Sequence, residues 1–115
     1  MRVDAYAFGR ITIDGVDYTS DVIILPDGVR SPWWRAAGGH VYAPEDLGPV
    51  LEAAADCVVL GTGRYDRVEV PGATVKALAA VGSEVVIEPT PRAVETFNRL
   101  VDEGREVVAA LHLTC

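Results

Sequence analysis

Cys57-Val58-Val59-Leu60-Gly61-Thr62-Gly63 is an apolar run that stops on a glycine turn. The run does not alternate between apolar and polar residues, so a strand here has both faces covered. Two further runs of the same kind follow, Val85-Val86-Ile87 and Val107-Val108-Ala109-Ala110-Leu111. Amphipathic stretches precede all three. Leu47, Val50, Leu51 and Ala54 share one helical face, with Gly48-Pro49 interrupting that helix. Val75, Leu78 and Ala79 share a second face, and Gly82 stands where a helix ends. The third stretch is the clearest. Thr90 can cap it, Pro91 fits its first turn, Val94, Phe97 and Val101 form its stripe, and Gly104 ends it. Helix and strand alternate three times, which predicts a parallel sheet with right-handed crossover helices.

The N-terminal part has a different period. Phe8 to Ile13 alternates, Asp14-Gly15 suits a two-residue hairpin turn, and Val16-Asp17-Tyr18 returns. Val22-Ile23-Ile24-Leu25 forms a third strand, stopped by Pro26-Asp27-Gly28. This part is expected to be a small antiparallel meander. The fold class is therefore α/β, a meander plus a parallel sheet with crossover helices. With 115 residues it is one domain spanning 1–115.

The formal charge is −7, from 17 acidic and 10 basic residues. That balance argues against a nucleic-acid or anionic-membrane partner. The acidity is uneven. Residues 1–56 hold nine acids and four bases, and residues 57–115 hold eight acids and six bases. No apolar run reaches the ~20 residues of a membrane span. Met1 to Asp4 lacks the apolar core of a signal peptide, and two cysteines make no disulfide framework. A cytoplasmic location is the expectation.

The three parallel strands end in Gly61-Thr62-Gly63, Glu88-Pro89-Thr90 and His112-Leu113-Thr114-Cys115. Parallel strands place these ends at one sheet edge, where α/β proteins bind ligands. Gly61, Thr62 and Gly63 can form a tight turn, or can offer amides and a hydroxyl to a small anion. A dinucleotide fingerprint needs a third glycine and an immediate helix, and neither follows, so no cofactor is expected. His112 and Cys115 could form a thiolate pair, or simply pack the strand end. Two histidines (His40 and His112) and two cysteines are not spaced as a zinc motif, so no metal is expected. In Ser31-Pro32-Trp33-Trp34-Arg35, neighbouring side chains point opposite ways, so one indole packs inward while the other can meet a partner or ligand. His40, after Gly38-Gly39, is a further polar candidate on a loop.

Several of these pieces occur in one order: Phe8-Gly9, Asp14-Gly15, Pro26-Asp27-Gly28, Trp33-Trp34-Arg35, Gly39-His40, Gly61-Thr62-Gly63, Phe97-Asn98 and Ala110 to Cys115. The ordered set resembles the Mth-type domain-of-unknown-function family. That family includes an adipogenesis-associated domain protein and a mitochondrial NADH dehydrogenase assembly factor. The resemblance implies a three-layer Mth-like α/β fold and no established reaction. It implies an interaction or assembly module, with a protein partner, and a shared site at Gly61, Thr62, Gly63, His112 and Trp33-Trp34-Arg35. The alternative is a small anionic ligand, or an enzyme site, at the strand ends. Self-association into a homo-oligomer is also open.

Overall fold

The computed structural model describes residues 1–35 and 39–115. Strands β1 (Val3–Ala7), β2 (Arg10–Ile13) and β3 (Val16–Tyr18) form an antiparallel sheet in the order β1-β2-β3. The turn between β2 and β3 uses Asp14 (φ 48°) and Gly15 (φ 79°), both left-handed as the hairpin requires.

β4 (Val22–Leu25) and β5 (Gly28–Arg30) leave that sheet. They join β6 (Cys57–Gly61), β7 (Glu84–Glu88) and β8 (Val107–Leu111) in a five-stranded sheet ordered β5-β4-β8-β6-β7. β6 runs parallel to β7 and β8, as the three apolar runs predict. The meander expected from the sequence therefore needs two corrections. Its first strand is Val3–Ala7, a short segment whose burial pattern is mostly exposed. Its expected third strand, Val22–Leu25, instead pairs antiparallel with β8. The reason is burial. All four of its side chains are buried, which an outlying two-faced meander strand could not achieve.

The five-stranded sheet has a core on each face. Cys57, Val59, Ala109 and Leu111 point to one side, against Phe97 and Leu100 of α3 (Thr90–Asp102) and Ile11 and Ile13 of β2. Val58, Leu60, Val108 and Ala110 point to the other, against Leu47, Val50 and Leu78. Leu47 ends a 3-10 turn (Pro44–Leu47), Val50 lies in α1 (Gly48–Ala53), and Leu78 in α2 (Gly72–Ala80). The Gly48-Pro49 interruption thus converts one expected helix into two short pieces. Trp33 and Tyr42 also fill this second core.

α3 begins at Thr90, with Pro91 in its first turn, but no side chain caps it. Thr90 Oγ1 is engaged elsewhere. It accepts from Gly63 N at 2.9 Å and donates to the His112 carbonyl at 2.6 Å. A cap would have needed that oxygen for the helix's own amides.

Candidate functional site

The antiparallel register of β4 against β8 builds the site. Val22 faces Leu111, so the residues just beyond, Asp21 and His112, emerge side by side. Asp21 Oδ2 lies 2.7 Å from His112 Nδ1. Asp21 Oδ1 accepts from Leu113 N at 2.9 Å. Burial alone would raise the Asp21 carboxyl. Hydrogen bonds from His112, Leu113 N and Arg35 outweigh that effect and hold it below its ordinary value. A carboxylate can only accept, so His112 Nδ1 carries the proton and donates to it. That leaves His112 Nε2 facing the Thr114 hydroxyl at 3.2 Å.

Arg35 reaches the same carboxylate from the loop after β5. That loop is tethered by Trp33 N donating to the Asp21 carbonyl at 3.0 Å. Arg35 Nη2 lies 2.8 Å from Asp21 Oδ2 and donates to the Gly39 carbonyl at 2.6 Å. It is also 3.3 Å from His112 Nδ1, a contact between two donors rather than a bond. The Arg35 side chain is only 5 % exposed. Its guanidinium carbon lies 4.7 Å from the Trp33 ring centroid and 5.3 Å from that of Tyr42, within cation–π range. Nε and Nη1 of Arg35 are buried and meet no acceptor among the described residues.

The two tryptophans divide as adjacent residues should. Trp33 is buried, its Nε1 donating to the Asp46 carbonyl at 2.9 Å. Trp34 is 84 % exposed. Both border a cavity of about 380 Å³, together with Asp21, Arg35, His112 and Thr114. His40 stands at this end too, its ring edge-on to His112 with centroids 5.5 Å apart. Tyr42 lies beneath. Its hydroxyl donates to the Gly61 carbonyl at 2.6 Å, and burial pushes its acidity well out of reach.

Trp33, Trp34, Arg35, His40 and His112 are therefore brought together. Gly61, Thr62, Gly63 and Thr90 serve the same edge differently. Thr62 N donates to the Glu88 carbonyl and Gly63 N to Thr90 Oγ1, so both amides already have protein acceptors. A Cβ on Gly61 would stand 2.7 Å from Leu111 Cδ2, and one on Gly63 would stand 2.3 Å from the Cys115 carbonyl carbon. The glycines are there because the chain passes close to its own C-terminal segment. Cys115 is half-buried, and no hydrogen bond joins its sulfur to His112 among the described residues; Thr114 holds that position. No group of three metal-ligating side chains occurs among the described residues.

Asp21 and Thr114 complete the cluster and are not singled out by sequence. Asp21 carries one signal, a carboxylate immediately before a fully apolar strand. Asp21, His112 and Thr114 stand in the order orienter, base, hydroxyl, and Arg35 neutralises the orienter. Such an arrangement can fix a histidine tautomer and present Nε2 to a bound group.

The family described as "Protein of unknown function (DUF498/DUF598)" matches residues 3–112. The human protein named NADH dehydrogenase [ubiquinone] 1 alpha subcomplex assembly factor 3 is 35 % identical over 115 residues, covering 96 % of this chain and 60 % of its own length. Its Bos taurus counterpart is 31 % identical, with the same coverage. The chain thus spans about three-fifths of the curated relatives it matches. A conserved hypothetical protein from Pyrococcus horikoshii superposes with a TM-score of 0.85 at 26 % identity, covering both chains fully. A Bordetella pertussis protein described as a Mth938-like domain superposes with a TM-score of 0.70 at 26 % identity, covering 97 % of this chain and 85 % of its own. Sequence and fold agree across nearly the whole length: this chain belongs to the DUF498/DUF598 family and has the Mth938-like α/β fold.

Proposed function

We propose that this protein is a non-catalytic interaction module that helps assemble a protein complex. The observation that carries this reading is the exposed indole of Trp34 at the mouth of a pre-formed cavity. The kinship with named assembly factors supports it. Two more exposed aromatics, Phe8 and Tyr65, lie with ring centroids 6.1 Å apart. Their chain neighbours bond the C-terminal segment, since Gly9 N donates to the Leu113 carbonyl and Arg64 N to that of Thr114. Exposed aromatics clustered around one segment are the composition of a protein-binding hot spot. The net charge of −7 favours a partner with a basic rim. Two free thiols, one of them buried, fit a reducing compartment such as the cytoplasm.

Trp34→Ala is expected to leave stability within about 0.5 kcal/mol of wild type, because the side chain buries little. The same substitution is expected to weaken the purified complex by about tenfold or more, as loss of a hot-spot residue does. The measurement is affinity for the partner recovered with the wild-type chain, compared for Trp34→Ala and a Phe8→Ala/Tyr65→Ala double variant. Equal affinity for all three proteins would remove this edge as the docking face. Light scattering of the purified chain separates a second copy from a foreign partner.

A further inference from the structure

Asp21, His112 and Thr114 form a chain of bonds that a docking face does not require. Asp21 Oδ2 takes the proton-bearing Nδ1 of His112 at 2.7 Å. The Thr114 hydroxyl stands 3.2 Å from Nε2, which carries the ring's lone pair. Carboxylate, imidazole and hydroxyl in this order let a histidine draw the proton from an alcohol and make it a nucleophile. All three side chains border the cavity of about 380 Å³. A hydroxyl that served only to satisfy Nε2 would need no cavity beside it, whereas Thr114 is half-buried and lines one.

Separate bonds hold each group in place. His112 N donates to the Gly61 carbonyl at 3.2 Å, and the His112 carbonyl accepts from Thr90 Oγ1 at 2.6 Å. The Thr114 carbonyl accepts from Arg64 N at 2.6 Å. Asp21 Oδ1 takes Leu113 N, the amide between these two residues, at 2.9 Å. A nucleophile and base fixed in this way meet an incoming group without reorganising. The Thr114 and Cys115 amides have no backbone acceptor among the described residues, so two donors next to the hydroxyl in the chain are unspent. Donors of that kind stabilise the oxyanion that forms in acyl transfer.

The cavity is unsuited to an anionic donor such as a phosphoryl compound. Arg35 is the one arginine or lysine that lines it. Its Nη2 is held by Asp21 and the Gly39 carbonyl, and its Nε and Nη1 are closed off. Pro32 and the two indoles supply an apolar wall instead. We propose that Thr114 is an acyl-acceptor site, taking the acyl group of a neutral ester that lies against this wall. Oγ1 bonds the acyl carbon as the bond from that carbon to the leaving oxygen breaks. The hydroxyl proton passes through His112 Nε2 to the departing oxygen, so the products are the acylated chain and a free alcohol or phenol. Nothing is oxidised or reduced. A single transfer onto the chain itself is a modification and asks for no turnover. It does not rest on the docking reading, because acylation is read on the isolated chain and docking on partner affinity.

The probe is 4-nitrophenyl acetate, incubated with the full chain. Absorbance follows release of 4-nitrophenolate, and peptide mass mapping finds the modified residue. The expected result is one acetyl group per chain, on Thr114, with one equivalent of 4-nitrophenolate released in the same phase. Thr114→Val keeps the side chain's shape and removes the nucleophile, so both the phase and the acetyl group should be lost. His112→Gln keeps an N–H donor for Asp21 but has no basic nitrogen, and should slow the phase by about a hundredfold or more. If His112→Gln fails to fold, Thr114→Val carries the test. No acetylation, acetyl on Lys76, Cys115 or the α-amino group in place of Thr114, an unchanged phase in Thr114→Val, or a wild-type rate in folded His112→Gln would each overturn the assignment.

Discussion

Asp21→Ala is expected to destabilise the protein by about 3–5 kcal/mol, the largest effect of any single substitution outside the apolar core. The carboxylate is the common acceptor for Arg35 Nη2 at 2.8 Å, His112 Nδ1 at 2.7 Å and Leu113 N at 2.9 Å. Removing it leaves a guanidinium that is 95 % buried with no counter-charge, and strands two further donors. Breaking a buried pair from one side costs more than the pair contributes, because the remaining charge stays desolvated. Asp21→Asn should fall between wild type and Asp21→Ala, since an amide oxygen can still accept one of these bonds. Denaturant unfolding of the three proteins at neutral pH gives the comparison.

The same carboxylate predicts a pH dependence. Its folded-state acidity is held below the ordinary value of 3.8 by the three donors, against the opposing effect of burial. A depressed carboxyl contributes stability that is complete above the unfolded value and is lost as pH falls through the folded one. The stability gap between wild type and Asp21→Asn should therefore be flat across neutral pH and close only on acidification below 3.8. A gap that closed in the neutral range would place the ionisation on another group.

Gly63→Ala is the second large effect, about 2–4 kcal/mol of lost stability. Gly63 has φ +97°, a conformation that L residues rarely adopt. The added methyl would stand 2.3 Å from the Cys115 carbonyl carbon, 2.5 Å from its oxygen and 3.0 Å from His112 Cδ2. Relief requires the C-terminal segment to move. That would disturb the bonds from Arg64 N to the Thr114 carbonyl and from Arg67 N to that of Cys115. The His112 ring moves with the segment, so its NMR signals should shift along with the melting temperature. Gly15→Ala provides the contrast. It shares the positive φ but has no atom within 4 Å of the added carbon, so it isolates the cost of backbone strain. Equal losses for the two would show that close approach contributes nothing at Gly63.

The sheet interior was the most legible part of this chain. Residues 57–60 and 107–111 lack alternation because helices or the small sheet cover both faces, and continuous apolarity is the direct record of that burial. Residues 85–87 lie in the edge strand β7, where Val85 and Val86 are half-buried and Ile87 is exposed, so there the same apolar run overstates the burial. The left-handed turns at Asp14-Gly15, Gly82 and Gly104 were legible for a similarly local reason, since positive φ restricts residue type. β1 was illegible because it is an edge strand with mostly exposed side chains, leaving little apolar periodicity. Within the site, the splitting of Trp33 from Trp34 follows from adjacency alone. The role of Gly61-Thr62-Gly63 did not emerge in this way. A glycine turn reads alike whether its closeness serves an anion or its own chain, and here Leu111 and Cys115 occupy the space.

The amino-acid sequence by itself determined the parallel β6-β7-β8 unit and the α3 stripe, because each is written in neighbouring residues, and the net charge of −7, which is composition alone. Only the tertiary structure decided where Val22–Leu25 pairs, and with it the site. The antiparallel match of Val22 to Leu111 sets Asp21 beside His112, 91 residues away, and the loop tether at Trp33 N brings Arg35 to the same carboxylate. Asp21, Arg35 and His112 are unremarkable where they stand in the chain. Their chemistry comes from sharing one carboxylate out of water, and strand pairing between distant segments carries no local periodicity that would announce it.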